Sequence, residues 1–579
     1  MSATVTNNIA SHLAVMAERQ PDRPAVLFPT RWDAQGGQYK QCTFRELDTM
    51  SSQMARGFER IGIKRGTRTA LLVPPSLDFF ALTFALFKVG AVPVLIDPGI
   101  GLSNFANCLA EAEPQAFIGI PKAQAARVLL GWAPSVAIPV TVGTRWFWSG
   151  HTLEQVRKLG AEGEPFSPVI PTPDETAAIL FTSGSTGPPK GVVYTHEIFT
   201  AQVEHIRALY GIQPGEVDLP TFPLFALFGP ALGMTEVLPA MDFTRPAQVD
   251  PLNITAAIER FGVTNMFGSP AVINRLGRHG ETRGVKLPTL RRAISAGAPV
   301  PAKALARFAA MLPPGAKVFT PYGATECLPV ASIGSDEILG ETRALTDLGK
   351  GVCVGRPVPG LTVKIIRITD EPITAWSDDL ELPRGEIGEI AVQAPHATRS
   401  YFNRPASTAQ AKIPAVDGKF FHRMGDVGYL DERGRIWFCG RKSHRVVTRA
   451  GTLFTIPCEA IFNTHPAVFR SALVGVRPVA ALCERRAAES ERSPDGGHRP
   501  PLQDAAGSLE PVLCVELEAD ARGQDESKLR AELLALGAKF PHTQAIRTVL
   551  FHPAFPVDIR HNAKIFREKL AVWAKEQLG

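Results

Sequence analysis

Helix-like and strand-like segments alternate along the first half of the chain. The apolar segment "FFALTFALF" (79–87) is bounded by Asp78 and Lys88. It is far shorter than the ~20 residues of a membrane span, so it predicts a buried helix. After a break at Gly90, "AVPVLID" (91–97) predicts a strand.

The same alternation recurs at 253–270 and 290–312, where apolar strands end at glycines and helices follow. Alternation of this kind predicts a parallel sheet covered by helices, the α/β class.

The pattern changes after about Gly355 to short strands separated by tight turns, which indicates an antiparallel sheet. The strand-like segments are "TVKIIRI" (362–368), "GEIAVQA" (388–394) and the two halves of "GYLDERGRIWFCGR" (428–441). In the last of these, "DERG" (431–434) has the Asp and Gly residues of a hairpin turn.

Residues 484–511 are rich in Pro, Gly, Ser and charged residues. They lie between two strand-like segments, "ALVGV" (472–476) and "PVLCVELEA" (511–519). This position predicts a disordered insertion inside one small domain, in preference to a linker between domains.

Composition and charge narrow the class of protein. A chain of 579 residues is too long for one core and, at about one domain per ~150 residues, predicts roughly three or four compact units. Its 45% apolar and 20% charged residues are typical of a globular protein. The net charge of +6 arises from 62 basic and 56 acidic residues without a dense basic run, so no nucleic-acid partner is expected.

The eight cysteines are scattered and form no C-x-x-C pair, which argues against a zinc site or a disulfide framework. They predict reduced thiols in the cytoplasm. Residues 1–20 lack a basic region followed by an apolar one, so export is not expected. No transmembrane segment is expected either.

Candidate chemistry begins at the glycine-rich segment "TSGSTGPPKG" (182–191), which follows the strand-like "AAILF" (177–181). Glycines allow backbone N–H groups to approach an anion, hydroxyls donate further hydrogen bonds, and Lys190 adds positive charge. The segment therefore predicts a phosphate-binding loop. It is not a P-loop, because Gly191 follows Lys190 where a magnesium-binding Ser or Thr would stand, and this disfavours a P-loop ATPase.

This loop resembles the phosphate-binding signature of the adenylate-forming superfamily, which contains acyl-CoA synthetases, luciferases and the adenylation domains of peptide synthetases. The resemblance covers nearly the whole chain, from "TFRELDTM" (43–50) to Lys564. Four further segments resemble the superfamily's motifs in the same order: "SAGAP" (295–299), "PYGATE" (321–326), "MGDVGYLDERGRIWFCGR" (424–441) and "DIRHNAKIFREKL" (558–570).

The resemblance implies an ATP site and assigns its residues. The loop would hold the β- and γ-phosphates, Tyr322 would stack on adenine, Asp426 would bind the ribose hydroxyls, and Arg441 would reach the sugar or the phosphates. The implied ATP-binding residues are Thr182, Ser183, Gly184, Ser185, Thr186, Gly187, Lys190, Gly297, Ala298, Pro299, Tyr322, Gly323, Ala324, Thr325, Glu326, Asp426, Arg441 and Lys564.

Within this set the resemblance implies catalytic roles for Lys564, Glu326, Thr325 and Lys190. Glu326 would hold Mg²⁺, Thr325 would contact the α-phosphate, and Lys564 would be the catalytic lysine. Cations are needed because a substrate carboxylate attacks the α-phosphorus of ATP, which brings two anions together. The products of that step would be an acyl-adenylate and pyrophosphate.

The superfamily fold is implied as well. Residues 1–440 would form a large domain of layered α/β sheets with a small antiparallel β-barrel-like subdomain, and would carry the ATP and acyl sites. Residues 441–579 would form a smaller, mobile α+β domain that closes as a lid and carries Lys564.

Three departures from the family pattern bear on the second half-reaction. Ala226 stands where many acyl-CoA synthetases have the His of "PLFH", Ser443 stands at the hinge, and "DIRHNAK" (558–564) replaces the usual "P-R-T-x-S-G-K". These changes put coenzyme A in doubt as co-substrate.

The variants at 222–230 and 558–564 resemble the branch of the superfamily that makes β-lactones in bacterial long-chain olefin biosynthesis. The implied substrate is a 2-alkyl-3-hydroxyalkanoic acid whose own 3-hydroxyl attacks the activated carbonyl. A pathway dehydrogenase and a β-lactone decarboxylase would be possible partners. The alternative is a long-chain fatty acyl-CoA or acyl-AMP ligase.

A binding protein that has lost catalysis is disfavoured, since Lys190, Glu326 and Lys564 are all present.

An alkyl chain needs an apolar, water-poor wall. The candidate substrate pocket comprises Phe225, Ala226, Phe228, Gly268 and Ser269, for each of which plain core packing is an equal alternative. His196 and His561 are candidates for deprotonating the 3-hydroxyl, although a structural role is favoured for both.

Overall fold

The structure is a computed structural model in the α/β class, as the alternation of segments predicts. It describes residues 5–31, 37–164, 166–182, 188–477, 508–557 and 565–579. Among these residues, no helix combines the length and the apolar character needed to cross a membrane.

The strands are numbered in chain order. They are β1 (Pro24–Arg31), β2 (Gln38–Thr43), β3 (Arg68–Leu72), β4 (Val92–Ile96), β5 (Ala116–Gly119), β6 (Ile138–Thr141), β7 (His151–Thr152), β8 (Thr176–Thr182), β9 (Lys190–Thr195), β10 (Val217–Pro220), β11 (Thr235–Val237), β12 (Asn265–Phe267), β13 (Arg292–Ile294), β14 (Lys317–Ala324), β15 (Cys327–Gly334), β16 (Val352–Pro357), β17 (Thr362–Ile366), β18 (Gly388–Gln393), β19 (Lys412–Pro414), β20 (Phe420–Leu430), β21 (Ile436–Arg441), β22 (Val446–Thr448), β23 (Gly451–Leu453), β24 (Val468–Val476), β25 (Glu510–Leu517) and β26 (Thr548–Phe551).

The helices follow the same numbering. They are α1 (Ala10–Arg19), α2 (Phe44–Arg60), α3 (Leu77–Lys88), α4 (Leu102–Ala112), α5 (Pro121–Leu129), α6 (Leu153–Ala161), α7 (His196–Tyr210), α8 (Pro223–Ala226), α9 (Phe228–Leu232), α10 (Pro251–Phe261), α11 (Pro270–Arg283), α12 (Ala302–Ala309), α13 (Ser335–Glu337), α14 (Arg343–Asp347), α15 (Pro405–Ala411), α16 (Thr455–Phe462), α17 (Glu526–Gly537) and α18 (Arg567–Leu578).

The first sheet has the strand order β7-β6-β5-β3-β4-β8-β9. Its strands are parallel except β9, which turns back antiparallel on β8. The predicted helix at 79–87 is confirmed as α3, whose residues from Phe79 to Lys88 are all buried. Lys88 is tolerated there because its Nζ lies 2.7 Å from Asp48 Oδ1.

The larger sheet has the order β17-β18-β20-β21-β16-β15-β14-β13-β12-β10-β11-β1-β2. In this spatial order, each pair of neighbours from β14 to β1 is parallel. Each pair of neighbours from β17 to β14 is antiparallel. The predicted strands and the "DERG" hairpin between β20 and β21 are confirmed. The barrel-like subdomain needs correction, because these antiparallel strands continue the large sheet and, within the described residues, do not close on themselves.

The C-terminal part has a three-stranded sheet in the order β24-β25-β26. β24 and β25 are antiparallel neighbours, with Val476 opposite Glu510. The strands that flank the predicted insertion at 484–511 therefore belong to one sheet. Residues 510–511 lie in β25, and 478–507 lie outside the described residues.

Helices α2 and α6 cross so closely that glycine is required at the contact. A Cβ atom on Gly160 would lie 1.8 Å from the carbonyl oxygen of Gln53, and one on Gly57 would lie 2.2 Å from that of Val156. Both obstacles are backbone atoms, so neither can be relieved by a side-chain rotation.

We expect Gly160→Ala to lower the free energy of unfolding by about 1–3 kcal/mol, because an added methyl group must push the two helices apart. Denaturant unfolding of the full chain measures this value. Gly340→Ala is the matched control, since a Cβ there meets nothing within 4 Å. Equal stability of the two variants would contradict the close crossing.

Candidate active site

The predicted phosphate loop connects β8 to β9, which pair as antiparallel strands. Thr182 and Lys190 face each other across the last register position of the hairpin. Ser183, Gly184, Ser185, Thr186 and Gly187 lie outside the described residues. The Lys190 ammonium lies 5.2 Å from the centre of the Tyr401 ring, which is within the range of a cation–π contact.

Tyr401 also contacts the candidate magnesium ligand. Its hydroxyl donates a 2.6 Å hydrogen bond to Glu326 Oε1. Burial and the neighbouring Glu326 carboxylate both raise the pKa of Tyr401, so the phenol stays protonated and remains a donor. One aromatic side chain therefore touches both Lys190 and Glu326.

The backbone around Tyr401 fixes this arrangement. The N–H of Phe402 donates to the carbonyl of Gly191 (2.7 Å), and the N–H of Thr398 donates to the carbonyl of Glu326 (2.8 Å). Residues 398–402 thus bridge β9, in the first sheet, to the turn between β14 and β15, in the second. Thr325 is held from the other side, because the Tyr194 hydroxyl donates to its carbonyl at 2.6 Å.

The predicted adenine and ribose residues form a second connected group. Asp426 and Arg441 are register partners on β20 and β21, and Arg441 Nη1 lies 2.9 Å from Asp426 Oδ1. The Tyr322 hydroxyl donates to Asp426 Oδ2 at 2.7 Å. Burial raises the pKa of Asp426, while Arg441 and the Tyr322 hydroxyl both favour its ionised form.

The segment 295–299 follows β13 directly, and 321–326 closes β14, the next strand of the sheet. Gly297 adopts a φ of +96°, a conformation that favours glycine. Parallel α/β sheets bind ligands beyond the carboxyl ends of their strands. The placement of Gly297, Ala298 and Pro299 beside the Tyr322 group agrees with this rule.

An apolar cavity of about 80 Å³ lies below these residues. Of the predicted pocket residues, Phe225 and Phe228 line it, together with Ala296 and Pro321 from the nucleotide motifs. The cavity therefore opens next to the candidate ATP site.

The other three predicted pocket residues do not line this cavity. Ala226 is buried in the core. Gly268 donates its N–H to the carbonyl of Ile294 (2.9 Å), and the Ser269 hydroxyl accepts from the N–H of Val272 (3.4 Å) at the start of α11. Local motif order could not distinguish these backbone roles from ligand contacts.

The structure describes only one of the two candidate histidines. His196 begins α7, is buried, and does not line the cavity; burial lowers its pKa to about 4, which fits a neutral, structural ring. His561 lies outside the described residues.

Lys564 also lies outside the described residues. On either side of residues 558–564, Val557 and Ile565 pair with each other in an antiparallel β-bridge. Just beyond, Arg567 Nη2 lies 2.6 Å from Glu459 Oε2, a buried carboxylate on α16.

The described residues contain no group of three or more His, Cys, Asp or Glu side chains arranged to hold a metal. Glu326 still suits Mg²⁺ in a nucleotide site, because this ion commonly takes one or two carboxylates and completes its shell with phosphates and water. Glu326 Oε1 is occupied by the Tyr401 hydroxyl, and Oε2 makes no hydrogen bond within the described part of the chain. Glu326 therefore fits Mg²⁺ through one carboxylate oxygen, Oε2.

Sequence reasoning missed Tyr401, Asp218 and Asn265. Tyr401 follows a polar segment and matches no motif considered above. Asp218 and Asn265 stand alone within apolar strands. Each becomes significant only through neighbours that are remote in sequence.

Residues 13–402 match the family model of the AMP-binding enzymes. The chain belongs to this family. Over its full length it is 50% identical to the olefin beta-lactone synthetase of Stenotrophomonas maltophilia (strain K279a), with 99% of this chain and 98% of that protein covered. It is 49% identical, over 99% of this chain and 98% of the relative, to the enzyme of the same name from Xanthomonas campestris pv. campestris.

The fold is also similar to that of a solved structure. The amide bond synthetase McbA from Marinactinospora thermotolerans superposes with a TM-score of 0.75 at 25% identity, covering 98% of this chain and 99% of that one. The expected layered α/β architecture of the adenylate-forming enzymes is thereby confirmed.

We expect Tyr401→Phe to weaken the binding of Mg²⁺-ATP by about tenfold, because groups that orient a metal ligand typically contribute 10–100-fold to metal affinity. Calorimetric titration with ATP measures this, once with Mg²⁺ and once with EDTA. The loss should disappear in EDTA.

Tyr429→Phe is the matched control, since that hydroxyl donates to the carbonyl of Lys350 and not to Glu326. An unchanged Mg²⁺-ATP affinity in Tyr401→Phe would show that the hydroxyl does not position Glu326.

Proposed function

We propose that this protein uses ATP to activate a 2-alkyl-3-hydroxyalkanoic acid and closes it to a β-lactone, with release of AMP, in long-chain olefin biosynthesis. The observation that carries the proposal is the 50% and 49% identity to two olefin beta-lactone synthetases over 99% of the chain. This similarity includes the C-terminal residues beyond 402, which the family model does not cover.

The site geometry supports the first half-reaction. The Tyr322–Asp426–Arg441 group offers a buried carboxylate for the ribose hydroxyls, and a carboxylate can accept two hydrogen bonds at once. Lys190 offers positive charge at the phosphate loop, and Lys564 would do so at the forming anhydride. Mg²⁺, held through Glu326, would supply further neutralisation of the phosphate charge when bound.

In this step a carboxylate oxygen of the substrate bonds to the α-phosphorus, and pyrophosphate leaves with the electron pair of the broken P–O bond. Thr325 and Glu326 are held by Tyr194, Thr398 and Tyr401, so these two residues need little rearrangement as charge develops.

The second half-reaction needs no second substrate. The 3-hydroxyl oxygen attacks the acyl carbonyl carbon, the hydroxyl proton is lost, and the bond between that carbon and the AMP oxygen breaks with its electrons leaving on AMP. Because nucleophile and carbonyl belong to one molecule, the reaction has the rate advantage of intramolecularity. A four-membered lactone results.

We also propose that residues 441–579 act as a mobile lid that carries Lys564 into the site. A lid would exclude water, which would otherwise hydrolyse the acyl-adenylate. A cytoplasmic location is proposed as well, supported by the seven described cysteines, which are buried free thiols. A complex with a dehydrogenase and a β-lactone decarboxylase would pass the strained lactone on directly.

Incubation with ATP, Mg²⁺ and a racemic 2-alkyl-3-hydroxy acid should yield AMP and a product lighter by one water, at the same rate with and without coenzyme A. Mass spectrometry measures both arms. AMP release that requires coenzyme A, or that occurs equally with plain fatty acids, would instead support a long-chain acyl-CoA or acyl-AMP ligase.

Lys564→Ala should slow the exchange of labelled pyrophosphate into ATP by about 100-fold, the usual cost of removing one charge-stabilising group from a transition state. Lys569→Ala is the matched control, because that lysine lies on α18 with its ammonium 5.0 Å from the Phe566 ring centre. Parent-level exchange in Lys564→Ala would contradict the assigned role.

A further inference from the structure

One flank of the first sheet, formed by α5 and by the segment after β6, exposes a group of large apolar side chains. Of the sixteen large apolar side chains that are exposed among the described residues, five lie between positions 128 and 147: Val128, Leu129, Leu130, Trp146 and Phe147. A single exposed apolar side chain is ordinary, whereas a group of them marks a contact surface. We call these five residues the apolar flank.

The two parts of the apolar flank are connected through α5. A Cβ atom on Gly143 would lie 3.7 Å from the Pro121 ring, so the loop 143–150 begins beside the first residue of this helix. Leu129 is its last residue, about 12 Å further along at 1.5 Å per residue. The helix is fixed on the sheet, because Gln124 Nε2 donates to the carbonyls of Val140 (3.0 Å) and Phe117 (3.3 Å).

The two exposed aromatic rings are held by a buried third one. The Trp148 indole is buried, and its Nε1 donates to Thr141 Oγ1 at 2.9 Å. Its ring centre lies 5.3 Å from that of Trp146 and 5.1 Å from that of Phe147, whose side chains are 54% and 66% exposed. The rings are therefore already ordered, which lowers the entropy cost of binding through them.

The charges around the apolar flank have one sign. Residues 114–153 contain no Asp or Glu, although the chain has 56 of them among 579 residues. The same segment contains Lys122, Arg127 and Arg145. The next acidic residue, Glu154, is paired with Lys158, whose Nζ lies 2.9 Å from its Oε1. The flank thus combines apolar side chains with a positive charge.

The aromatic part of the flank lies on the same edge of the first sheet as the candidate ATP site. The loop 143–150 follows the carboxyl end of β6, and the candidate phosphate loop follows that of β8. The strands β6, β5, β3, β4 and β8 are neighbours in this order, and every pair is parallel. Four strand spacings of about 4.8 Å separate the two loops by roughly 19 Å.

We propose that the apolar flank binds the surface of a membrane that contains anionic lipids. Trp146 and Phe147 would enter the interfacial layer, where aromatic side chains are favoured, while Lys122 and Arg145 would face the headgroups. Binding of this kind grows with the apolar area that is buried and with the attraction of cations to anionic lipid, and a fluid bilayer needs no complementary pocket.

The test measures binding of the full chain to vesicles by co-sedimentation, with phosphatidylcholine alone and with added phosphatidylglycerol. We expect the parent to bind the anionic vesicles, and Phe147→Ser to lower the partition constant about tenfold through the loss of buried apolar area. Phe469→Ser is the matched control, since Phe469 is an exposed aromatic residue on β24, outside the flank. It should bind as the parent does.

A second pair of variants tests the charge. Lys122→Gln should lower the partition constant on anionic vesicles about fivefold, at roughly 1 kcal/mol per cation near the surface, and leave binding to neutral vesicles unchanged. Lys303→Gln is the control, because this exposed lysine lies on α12, outside the flank.

Three results would overturn the proposal. The first is a parent that binds neither kind of vesicle. The second is an equal loss of binding in a flank variant and its control. The third is a parent that forms a dimer in analytical ultracentrifugation which Phe147→Ser dissociates, because the flank would then bind a second copy of the chain.

Thermal unfolding checks that each variant is folded, and Trp146→Ser replaces Phe147→Ser if the latter does not fold, with the same outcomes. Vesicle binding is measured without ATP or an acyl substrate. Its result is therefore independent of the proposed function, which the lactone assay tests separately.

Discussion

The candidate site depends on the backbone junction that joins the two large sheets. Residues 398–402 donate hydrogen bonds to β9 on one side and to Glu326 on the other, so the strand that follows the candidate phosphate loop and the candidate magnesium ligand are fixed relative to each other. Tyr401 lies at the centre of this junction, between Lys190 and Glu326. The Tyr194 hydroxyl, which donates from β9 to the carbonyl of Thr325, is a second direct contact between the two sheets.

This geometry determines how the charged groups of the candidate site are arranged. The site gathers a cation and carboxylates that are held apart and individually hydrogen-bonded: Lys190 on the Tyr401 ring, Glu326 on the Tyr401 hydroxyl, and Asp426 between Tyr322 and Arg441. Preorganised cations such as Lys190 and Arg441 attract a polyanion with little reorganisation when it binds, whereas the two carboxylates are suited to a cation or to hydroxyl donors. The arrangement suits a nucleotide triphosphate that is attacked by a second anion.

The apolar cavity beside the candidate ATP site has a different character. Its lining is mainly aromatic and aliphatic, and it includes the carboxyl group of Asp218 and the amide group of Asn265. Apolar walls favour any alkyl chain, so the walls alone discriminate poorly between lengths.

Much of the site was predictable from the order of motifs. Lys190, Tyr322, Glu326, Asp426 and Arg441 come from linear segments whose resemblance to the family motifs implied phosphate, adenine, metal and ribose binding. The structure brings them into two groups, one around Tyr401 and one around Asp426. The helix at 79–87 and the hairpin at 428–441 were equally evident, since apolar periodicity and turn chemistry are local properties.

The contacts between residues that are distant in sequence were determined only by the tertiary structure. Tyr401 is 75 residues from Glu326 in the chain, and Asn265 is 47 residues from Asp218. No local pattern encodes such contacts, because they arise from strand register and from the pairing of segments that are distant in sequence. For the same reason the antiparallel strands after Gly355 extend the large sheet: strand composition indicates pairing, but only the packed chain determines which edge each strand joins.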